Sequence, residues 1–291
     1  MARAAKKSVA RAAPAKINLY LQVTGRRHDG YHLLASLVVF AGIGDEIEVT
    51  PGHDLTLSLE GTFAGALAGE SNNIVLHAAR LLHEAGDVRT GAHITLKKEL
   101  PIASGIGGGS ADAAAALAAL SEFWHLDLAP ERLRVLAFEL GADVPVCRFG
   151  RPALVDGVGE EVAPAPPLPP AWLVLANPGV PLPTADVYHK LAGRFSSPPA
   201  PWTAPASVAD LAAALGQRRN DLEQPAKELA PVVGEVLAAL AALPGCLLAR
   251  LSGSGATGFA LFAAQAGAEA AAAKLAAGHP DWWVRAAPIL A

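Results

Sequence analysis

The stretch on which the interpretation of this chain depends is Pro101-Ile102-Ala103-Ser104-Gly105-Ile106-Gly107-Gly108-Gly109-Ser110-Ala111-Asp112. Four of the five residues from Gly105 to Gly109 are glycine, so the backbone carries few side chains and few restrictions on φ and ψ. An alanine-rich segment follows and predicts a helix from about Ser110 to Trp124. Because a helix start offers unpaired N–H groups and a partial positive charge, the pattern predicts a phosphate-binding loop. A flexible turn with Ser110 or Asp112 as an ordinary N-cap is the alternative.

Two other kinds of glycine-rich loop are disfavoured by what surrounds the glycines. The chain has no Gly-Lys-Ser or Gly-Lys-Thr, so the lysine of a Walker A loop is missing. A second loop, Gly253-Ser254-Gly255-Ala256-Thr257-Gly258, fits the dinucleotide pattern but precedes Phe259–Phe262, which predicts a strand where that pattern requires a helix. The second loop is therefore interpreted as a β-hairpin turn or as backbone that packs against a bound phosphate or substrate.

The composition excludes several classes of protein. The 291 residues include 23 Lys and Arg and 27 Asp and Glu, which argues against nucleic-acid binding through bulk charge. Two isolated cysteines, Cys147 and Cys246, argue against a disulfide framework or zinc knuckle and favour a reducing, cytoplasmic compartment.

The uncharged stretch Val162–Ala185 contains eight prolines, so we interpret it as a loop and a strand and predict no membrane span. The basic leader Met1–Ala13 is interpreted as a frayed terminus rather than a transit peptide.

Hydrophobic periodicity predicts an α+β fold with two domains, 1–160 and 161–291, separated near the proline-rich linker Pro164–Pro170. Ser196–Pro205 is a second stretch predicted to be flexible. The predicted strands are Ile17–Val23, Leu34–Phe40, Glu46–Val49, Leu55–Leu59, His93–Leu96 and Trp172–Leu175, with a further pair flanking Ser252–Gly258. The other predicted helices are Ile74–Ala85, Pro130 to near Gly141, Val208–Leu215, Ala226–Leu243 and Gly267–Ala277.

Two charged residues, Lys16 and Asp143, stand in apolar surroundings. Lys16 precedes the first predicted strand, and Asp143 follows a helix stop and is flanked by Val144 and Pro145. A surface lysine and a helix-ending turn are the plain interpretations. Phosphoryl transfer, however, needs a phosphate cradle, a cation, and a group that orients and deprotonates the acceptor hydroxyl. An aspartate beside a lysine fits that need, although spacing alone does not show whether the two meet.

Taken together, these motifs resemble the GHMP small-molecule kinase superfamily, and within it they are close to the 4-diphosphocytidyl-2-C-methyl-D-erythritol kinases. The glycine loop indicates only the superfamily, whereas Lys16, Tyr31-His32 and Asn220–Glu223 make the resemblance specific. The matching motifs are Pro14–Leu19, Asp29–His32, Pro101–Ala111, Gly141–Pro145, Gly157–Glu160, Asn220–Glu223 and Leu251–Thr257, in the family's order.

The resemblance implies a two-domain GHMP kinase fold, with an N-terminal domain like ribosomal protein S5 domain 2 and a C-terminal α/β sandwich. It implies ATP-dependent phosphorylation of the 2-hydroxyl of 4-diphosphocytidyl-2-C-methyl-D-erythritol, in the non-mevalonate isoprenoid pathway. The cofactors implied are ATP and Mg²⁺, with the metal ligands unknown. The partner is a small-molecule substrate, with no nucleic acid and no membrane, and the protein is expected to be a monomer or homodimer.

The resemblance also assigns residues to roles. Asp143 would take the proton from the acceptor hydroxyl, Lys16 would hold that carboxylate and the hydroxyl, and Pro101–Ala111 would wrap the ATP phosphates. The residues expected to bind the acceptor are Asn18, Tyr31, His32, Thr184, Tyr188, Gly253 and Ser254. A superfamily kinase that acts on another alcohol, and a non-catalytic relative that binds nucleotide or a partner, remain the alternatives.

Overall fold

The computed structural model describes residues 8–70 and 72–291. The strands in this range are β1 (Val9–Arg26), β2 (His32–Gly52), β3 (Leu55–Glu60), β4 (Gly91–Lys97), β5 (Ala153–Gly157), β6 (Glu161–Pro164), β7 (Trp172–Asn177), β8 (Leu248–Leu251), β9 (Gly258–Phe262) and β10 (Trp283–Leu290). The α-helices are α1 (Ile74–Ala85), α2 (Gly108–Phe123), α3 (Pro130–Leu140), α4 (Val144–Phe149), α5 (Thr184–Leu191), α6 (Val208–Gly216), α7 (Glu223–Leu229), α8 (Val232–Ala241) and α9 (Gln265–Gly278).

The chain forms two compact units, each built from more than one segment. Of the described residues, unit 1 comprises those up to Ala15, Gly44–Ile102 and Gly107–Phe149, and unit 2 comprises Lys16–Ile43, Ala103–Ile106 and Gly150–Ala291. Strands β1 and β2 and the glycine loop each contribute residues to both units. The predicted division into 1–160 and 161–291 stays a prediction.

Unit 1 combines a small sheet with helices α1–α4. Strand β4 pairs in parallel with β3 and antiparallel with the Glu46–Gly52 part of β2. Helix α2 packs against α1 and α4, and most of its buried positions are alanines. Small side chains let a helix approach its neighbours closely, so the alanine-rich segment forms the centre of this core rather than a surface helix.

Unit 2 is built on antiparallel strands. Strand β7 lies between β9 and β10, and β8 pairs with β9. Strand β10 reaches β2 at Phe40 and Ala41, and β2 also pairs with β5 through Leu34–Val38. Helices α8 and α9 pack on β7 and β9 in one apolar cluster, while α5 and α7 contribute to a second cluster.

The structure confirms most of the predicted elements and corrects four boundaries. The two strands predicted at Leu34–Phe40 and Glu46–Val49 form the single strand β2. Gly44, between them, lies so close to the backbone of Ala13 that a Cβ at this position would clash with it. The glycine thus allows close strand contact and does not make a turn. The helix predicted over Ala226–Leu243 is two helices, α7 and α8, with Pro231 between them.

The remaining two corrections concern the first strand and the glycine loop. Strand β1 begins at Val9 rather than near Ile17, because Val9 and Ala13 are buried in the core of unit 1; Met1–Lys7 lie outside the described residues. Helix α2 begins at Gly108, and Gly107 is its N-cap, so neither Ser110 nor Asp112 caps it. Elements that the sequence did not predict are α4, α5, β5, β6 and β10. Within residues 8–70 and 72–291, no helix has the length and apolar character to cross a membrane.

Candidate active site

Lys16 and Asn18 lie on the same face of β1 in unit 2, because side chains alternate along a strand. Both are buried, at 3% and 4% exposure. The Nζ atom of Lys16 donates a hydrogen bond to Oδ1 of Asn18 at 2.9 Å. The pair therefore presents an ammonium group in a fixed position near the middle of β1, as a phosphoryl-transfer site would require of its cation.

The amide of Asn18 is held from the next strand. Its Nδ2 donates to Oγ of Ser36 at 2.8 Å, and that hydroxyl donates to the carbonyl of Tyr20 at 2.6 Å. Because Nδ2 donates to Ser36 and Oδ1 accepts from Lys16, these two hydrogen bonds determine the orientation of the Asn18 amide. The Oδ1 atom consequently faces Lys16 rather than Ser36.

The second glycine loop, between β8 and β9, supports part of the first within unit 2. The N–H of Thr257 donates to the carbonyl of Ser104 at 3.0 Å, and Oγ of Ser252 donates to that of Gly105 at 3.1 Å. A Cβ on Gly105, whose φ is +75°, would lie 2.5 Å from the backbone of Ser252 and Gly255. Glycine is therefore required where the two backbones meet. The second loop is a β-hairpin connection, which confirms that it is not a dinucleotide fingerprint.

Asn220 fixes the geometry of this second loop. Its buried Nδ2 donates to the carbonyls of Leu251 and Gly253, at 2.9 and 2.7 Å, while Oδ1 accepts from the N–H of Leu222. The loop also reaches α5, where Oγ1 of Thr184 lies 2.9 Å from Oγ of Ser254. Thr184, Gly253 and Ser254, which the sequence predicted as acceptor-binding residues, are thus neighbours in unit 2.

Two predicted acceptor-binding aromatic residues are also neighbours. The rings of His32 and Tyr188 are 4.8 Å apart between centroids, and Phe195 lies 6.3 Å from His32 on another side. Desolvation and the nearby Arg26 lower the pKa of His32 from its ordinary value, which favours the neutral ring. Tyr31 is 59% exposed. The sequence did not indicate Phe195, because an exposed aromatic in a loop carries no pattern.

In unit 1 the glycine loop ends at the start of α2. Gly107 adopts a φ of +63°, and the N–H of Ala111 donates to its carbonyl at 2.8 Å. Among the described residues no side chain caps this helix, so the first-turn amides of Gly108, Gly109 and Ser110 are available to an anion. The start of a 16-residue helix fits a phosphate group.

Asp143 lies in unit 1 at the junction of α3 and α4. Gly141 ends α3 with a φ of +155°, and the carbonyl of Asp143 accepts from the N–H of Cys147 in α4. The side chain is partly exposed. The backbone therefore holds Asp143 at a sharp turn between two helices.

Unit 1 also contains a buried ionic cluster that the sequence did not predict. The Nζ atom of Lys98 lies 2.5 Å from Oδ2 of Asp45 and 2.6 Å from Oδ2 of Asp112. Burial raises the pKa of Asp112 to about 7, with Lys98 lowering it and Asp45 raising it. Asp112 inside an alanine-rich run was the available signal, since an acid in a buried helix requires a partner.

The described residues contain no cluster of three histidine, cysteine, aspartate or glutamate side chains that could hold a metal ion. Mg²⁺ that is bound mainly through nucleotide phosphates and water needs no such cluster.

Comparison with known proteins assigns the chain to a family. The family GHMP kinases N terminal domain matches residues 73–151, and GHMP kinases C terminal matches residues 204–281. A protein of Paramagnetospirillum magneticum named 4-diphosphocytidyl-2-C-methyl-D-erythritol kinase is 56% identical over 278 residues, which cover 96% of this chain and 97% of that protein. The chain belongs to the 4-diphosphocytidyl-2-C-methyl-D-erythritol kinase family. It is a small-molecule kinase, and as a GHMP kinase it uses ATP.

Further members of the 4-diphosphocytidyl-2-C-methyl-D-erythritol kinase family and related structures support the same family assignment. A protein of Rhodospirillum rubrum with this name is 51% identical over 279 residues, covering 96% of this chain and 92% of that protein. A crystal structure of 4-(cytidine 5'-diphospho)-2C-methyl-D-erythritol kinase has a TM-score of 0.80 and 35% identity, covering 97% of this chain and 99% of that one. Homoserine kinase from Cytophaga hutchinsonii shares the fold, with a TM-score of 0.73 and 20% identity. The match covers 99% of this chain and 97% of that one.

Proposed function

We propose that this kinase transfers the γ-phosphoryl group of ATP to the 2-hydroxyl of 4-diphosphocytidyl-2-C-methyl-D-erythritol, giving the 2-phosphate and ADP. The reaction is a step of the non-mevalonate isoprenoid precursor pathway. The observation that carries the proposal is the buried Lys16–Asn18 pair, which presents a cation in a fixed position. The pair lies in a chain that is 56% identical to a protein named for this substrate.

The glycine loop is proposed to bind the ATP phosphates. The amides at the start of α2 are donors for an anion, and the helix dipole adds a partial positive charge. In unit 2 the second glycine loop holds the Ser104 and Gly105 carbonyls. A loop anchored in this way loses less conformational entropy when a nucleotide binds than a free glycine turn would.

Lys16 and Asp143 are proposed to act on the acceptor hydroxyl. Asp143 accepts the proton as the hydroxyl oxygen forms a bond to the γ-phosphorus and the bond between that phosphorus and the β–γ bridging oxygen breaks. Lys16, oriented by Asn18, stabilises the negative charge that develops on the attacking oxygen. Mg²⁺, when bound with ATP, neutralises charge on the transferred phosphoryl group.

The aromatic residues are proposed to bind the cytosine end of the acceptor. Tyr188 and His32 already lie in contact, and Tyr31 has an exposed ring that can cover a planar base. A neutral histidine offers one donor and one acceptor to the edge of a pyrimidine. Stacking on aromatic rings, combined with hydrogen bonds to a base edge, is how proteins recognise unpaired bases.

The test is ADP release with magnesium-ATP and one of four alcohols: 4-diphosphocytidyl-2-C-methyl-D-erythritol, homoserine, mevalonate or galactose. We expect turnover with the cytidine compound alone. Turnover with a different alcohol alone would keep the kinase assignment and refute the acceptor. The cytoplasmic location and the monomeric or homodimeric state remain proposals, and gel filtration at several concentrations tests the second.

The control for this assay is a Lys16→Met variant, which removes the cation and keeps the length of the side chain. It should lose turnover while binding ATP as the wild type does. Full turnover by this variant would refute the role proposed for Lys16.

A further inference from the structure

The buried cluster of Asp45, Lys98 and Asp112 is connected to both ends of the glycine loop within unit 1. Their side chains are 0%, 4% and 2% exposed. Lys98 follows β4 directly and precedes Pro101, the first residue of the loop, by three positions. Asp112 is the fifth residue of α2, which begins where the loop ends. The ion pair from Lys98 to Asp112 therefore joins the two ends of the loop within unit 1.

Asp45 fixes the entry to the loop through the backbone. Its Oδ1 accepts hydrogen bonds from the N–H groups of Glu99, at 2.6 Å, and Leu100, at 2.8 Å. Its Oδ2 accepts from Lys98, so one carboxylate holds three consecutive residues. Hydrogen bonds to a carboxylate are shorter and stronger than those between neutral groups. The path of the chain into Pro101 is thereby determined.

The exit from the loop packs on the same cluster. A Cβ on Gly108, the first residue of α2, would lie 3.1 Å from Nζ of Lys98 and 3.7 Å from Oδ2 of Asp45. A side chain there would require the Lys98 ammonium group to shift by a few tenths of an ångström. Because Gly108 has no side chain, the first turn of α2 lies directly against Lys98 and Asp45.

Burying a cluster of ionic groups in a core is unfavourable for the free energy of folding. Well-packed apolar residues of similar volume often give equal or greater stability than buried ions. Moreover, among the described residues the Oδ1 atom of Asp112 is buried and has no hydrogen-bond partner. Stability alone therefore does not account for the three charges, whereas a requirement for fixed geometry does.

We propose that Asp45, Lys98 and Asp112 are positioning residues, which hold the two ends of the loop so that the first-turn amides of α2 converge on the nucleotide phosphates. The inference rests on the proposed function insofar as the loop binds ATP. The three residues act through the backbone and are not catalytic residues.

The test compares two substitutions at one position. Asp112→Ala removes the tie to Lys98, yet leaves the 1:1 pair of Lys98 with Asp45 and inserts alanine into an alanine-rich helix, so the variant should fold. Asp112→Asn keeps an oxygen acceptor for Lys98. The dissociation constant of ATP is measured by titration calorimetry, and KM for each substrate and kcat are measured by ADP release.

We expect Asp112→Ala to raise the dissociation constant and the KM of ATP about tenfold. A change of this size corresponds to the loss of roughly one hydrogen bond to a charged group. The KM of the alcohol should stay unchanged, and kcat at saturating ATP should fall less than the KM rises. Asp112→Asn should restore ATP binding to within about twofold of the wild type, because its side-chain oxygen still accepts from Lys98.

The matched control is Asp87→Asn, which breaks the exposed ion pair with Arg89 in the same unit and should change neither constant. Unchanged ATP binding by folded Asp112→Ala would refute the inference alone, as would equal rises in the KM of ATP and of the alcohol. A wild-type protein that binds no ATP would refute the proposed function and the inference together.

Discussion

The Nζ atom of Lys16 lies 2.9 Å from Oδ1 of Asn18, and the carbonyl of Ile106 accepts the N–H of the same lysine at 2.9 Å. One residue of β1 thus contacts the glycine loop through its backbone and a neutral amide through its side chain. The amide orients the ammonium group without neutralising its positive charge.

Replacing Asn18 with alanine should lower kcat/KM by about ten- to a hundredfold, because Lys16 loses a partner that fixes its rotamer. The steady-state rate of ADP release measures the effect. Gln22→Ala is the control, since Gln22 lies on the same face of β1 and donates instead to the carbonyl of Ser197. An equal loss in both variants would show that the effect is a general one on the strand.

Asp143→Asn should lower kcat by about a hundredfold or more, the usual contribution of a general base. ATP should bind as before, because the amides of the glycine loop and helix α2 are untouched. Calorimetry with ATP and the pre-steady-state rate of ADP formation measure the two properties. Wild-type turnover by this variant would contradict the assignment of the base.

Tyr188→Ala should raise the KM of the cytidine substrate by about five- to a hundredfold, the range expected for loss of one base-stacking ring. The KM of ATP should not change. Tyr188→Phe is the matched control because it keeps the ring and removes only the hydroxyl. If alanine and phenylalanine weaken binding equally, the hydroxyl rather than stacking is responsible.

The stability of the wild type should contain a component that decreases as the pH rises from about 4 to 7. The pKa of Asp112 is raised from 3.8 to about 7 in the folded protein, chiefly by burial. The folded state therefore binds more protons than the unfolded state in this window, so the stabilisation present below pH 3.8 is lost as the pH rises through about 7.

Urea unfolding at pH 5 and pH 8, in the wild type and in Asp112→Asn, measures this component. Asparagine does not titrate, so the variant should lose less stability than the wild type between the two pH values. The comparison removes the contribution of the other carboxyls, which are the same in both proteins. Equal changes in the two proteins would mean that Asp112 has an ordinary pKa.

Trp202→Ala should destabilise unit 2 by about 1–3 kcal/mol and expose Ser196–Pro205 to proteases. The Trp202 ring stacks on Tyr20 at 6.1 Å, and the guanidinium of Arg218 lies 4.7 Å from it. Arg218 also donates to the carbonyl of Ala200. The stretch that the sequence predicted to be flexible is therefore attached at several points.

Limited proteolysis and urea unfolding check this expectation. Trp282→Ala is the control, because Trp282 stacks on His279 near the end of α9 and should affect stability without exposing Ser196–Pro205. Cleavage within that stretch at the same rate in the wild type and in Trp202→Ala would refute the attachment.

The sequence by itself determined the features whose cause is local. Glycines followed by an alanine-rich run define the loop and α2, and the helix from Ile74 to Ala85 has the bounds that its periodicity and the following glycine predict. The alternation over Ile17–Val23 likewise predicted a strand, which the structure extends back to Val9. These signals lie within one or two turns of chain, so no knowledge of distant residues is needed.

Which distant residues meet depends on the packing of the folded chain. Asp45 lies in β2, Lys98 directly follows β4, and Asp112 lies in α2, and nothing in their spacing indicates the cluster. Arg250 is similar: it is buried and donates to the carbonyls of Leu19, Leu215 and Arg218. Buried charges are tolerated only where partners converge on them, and that convergence depends on how the elements pair and pack.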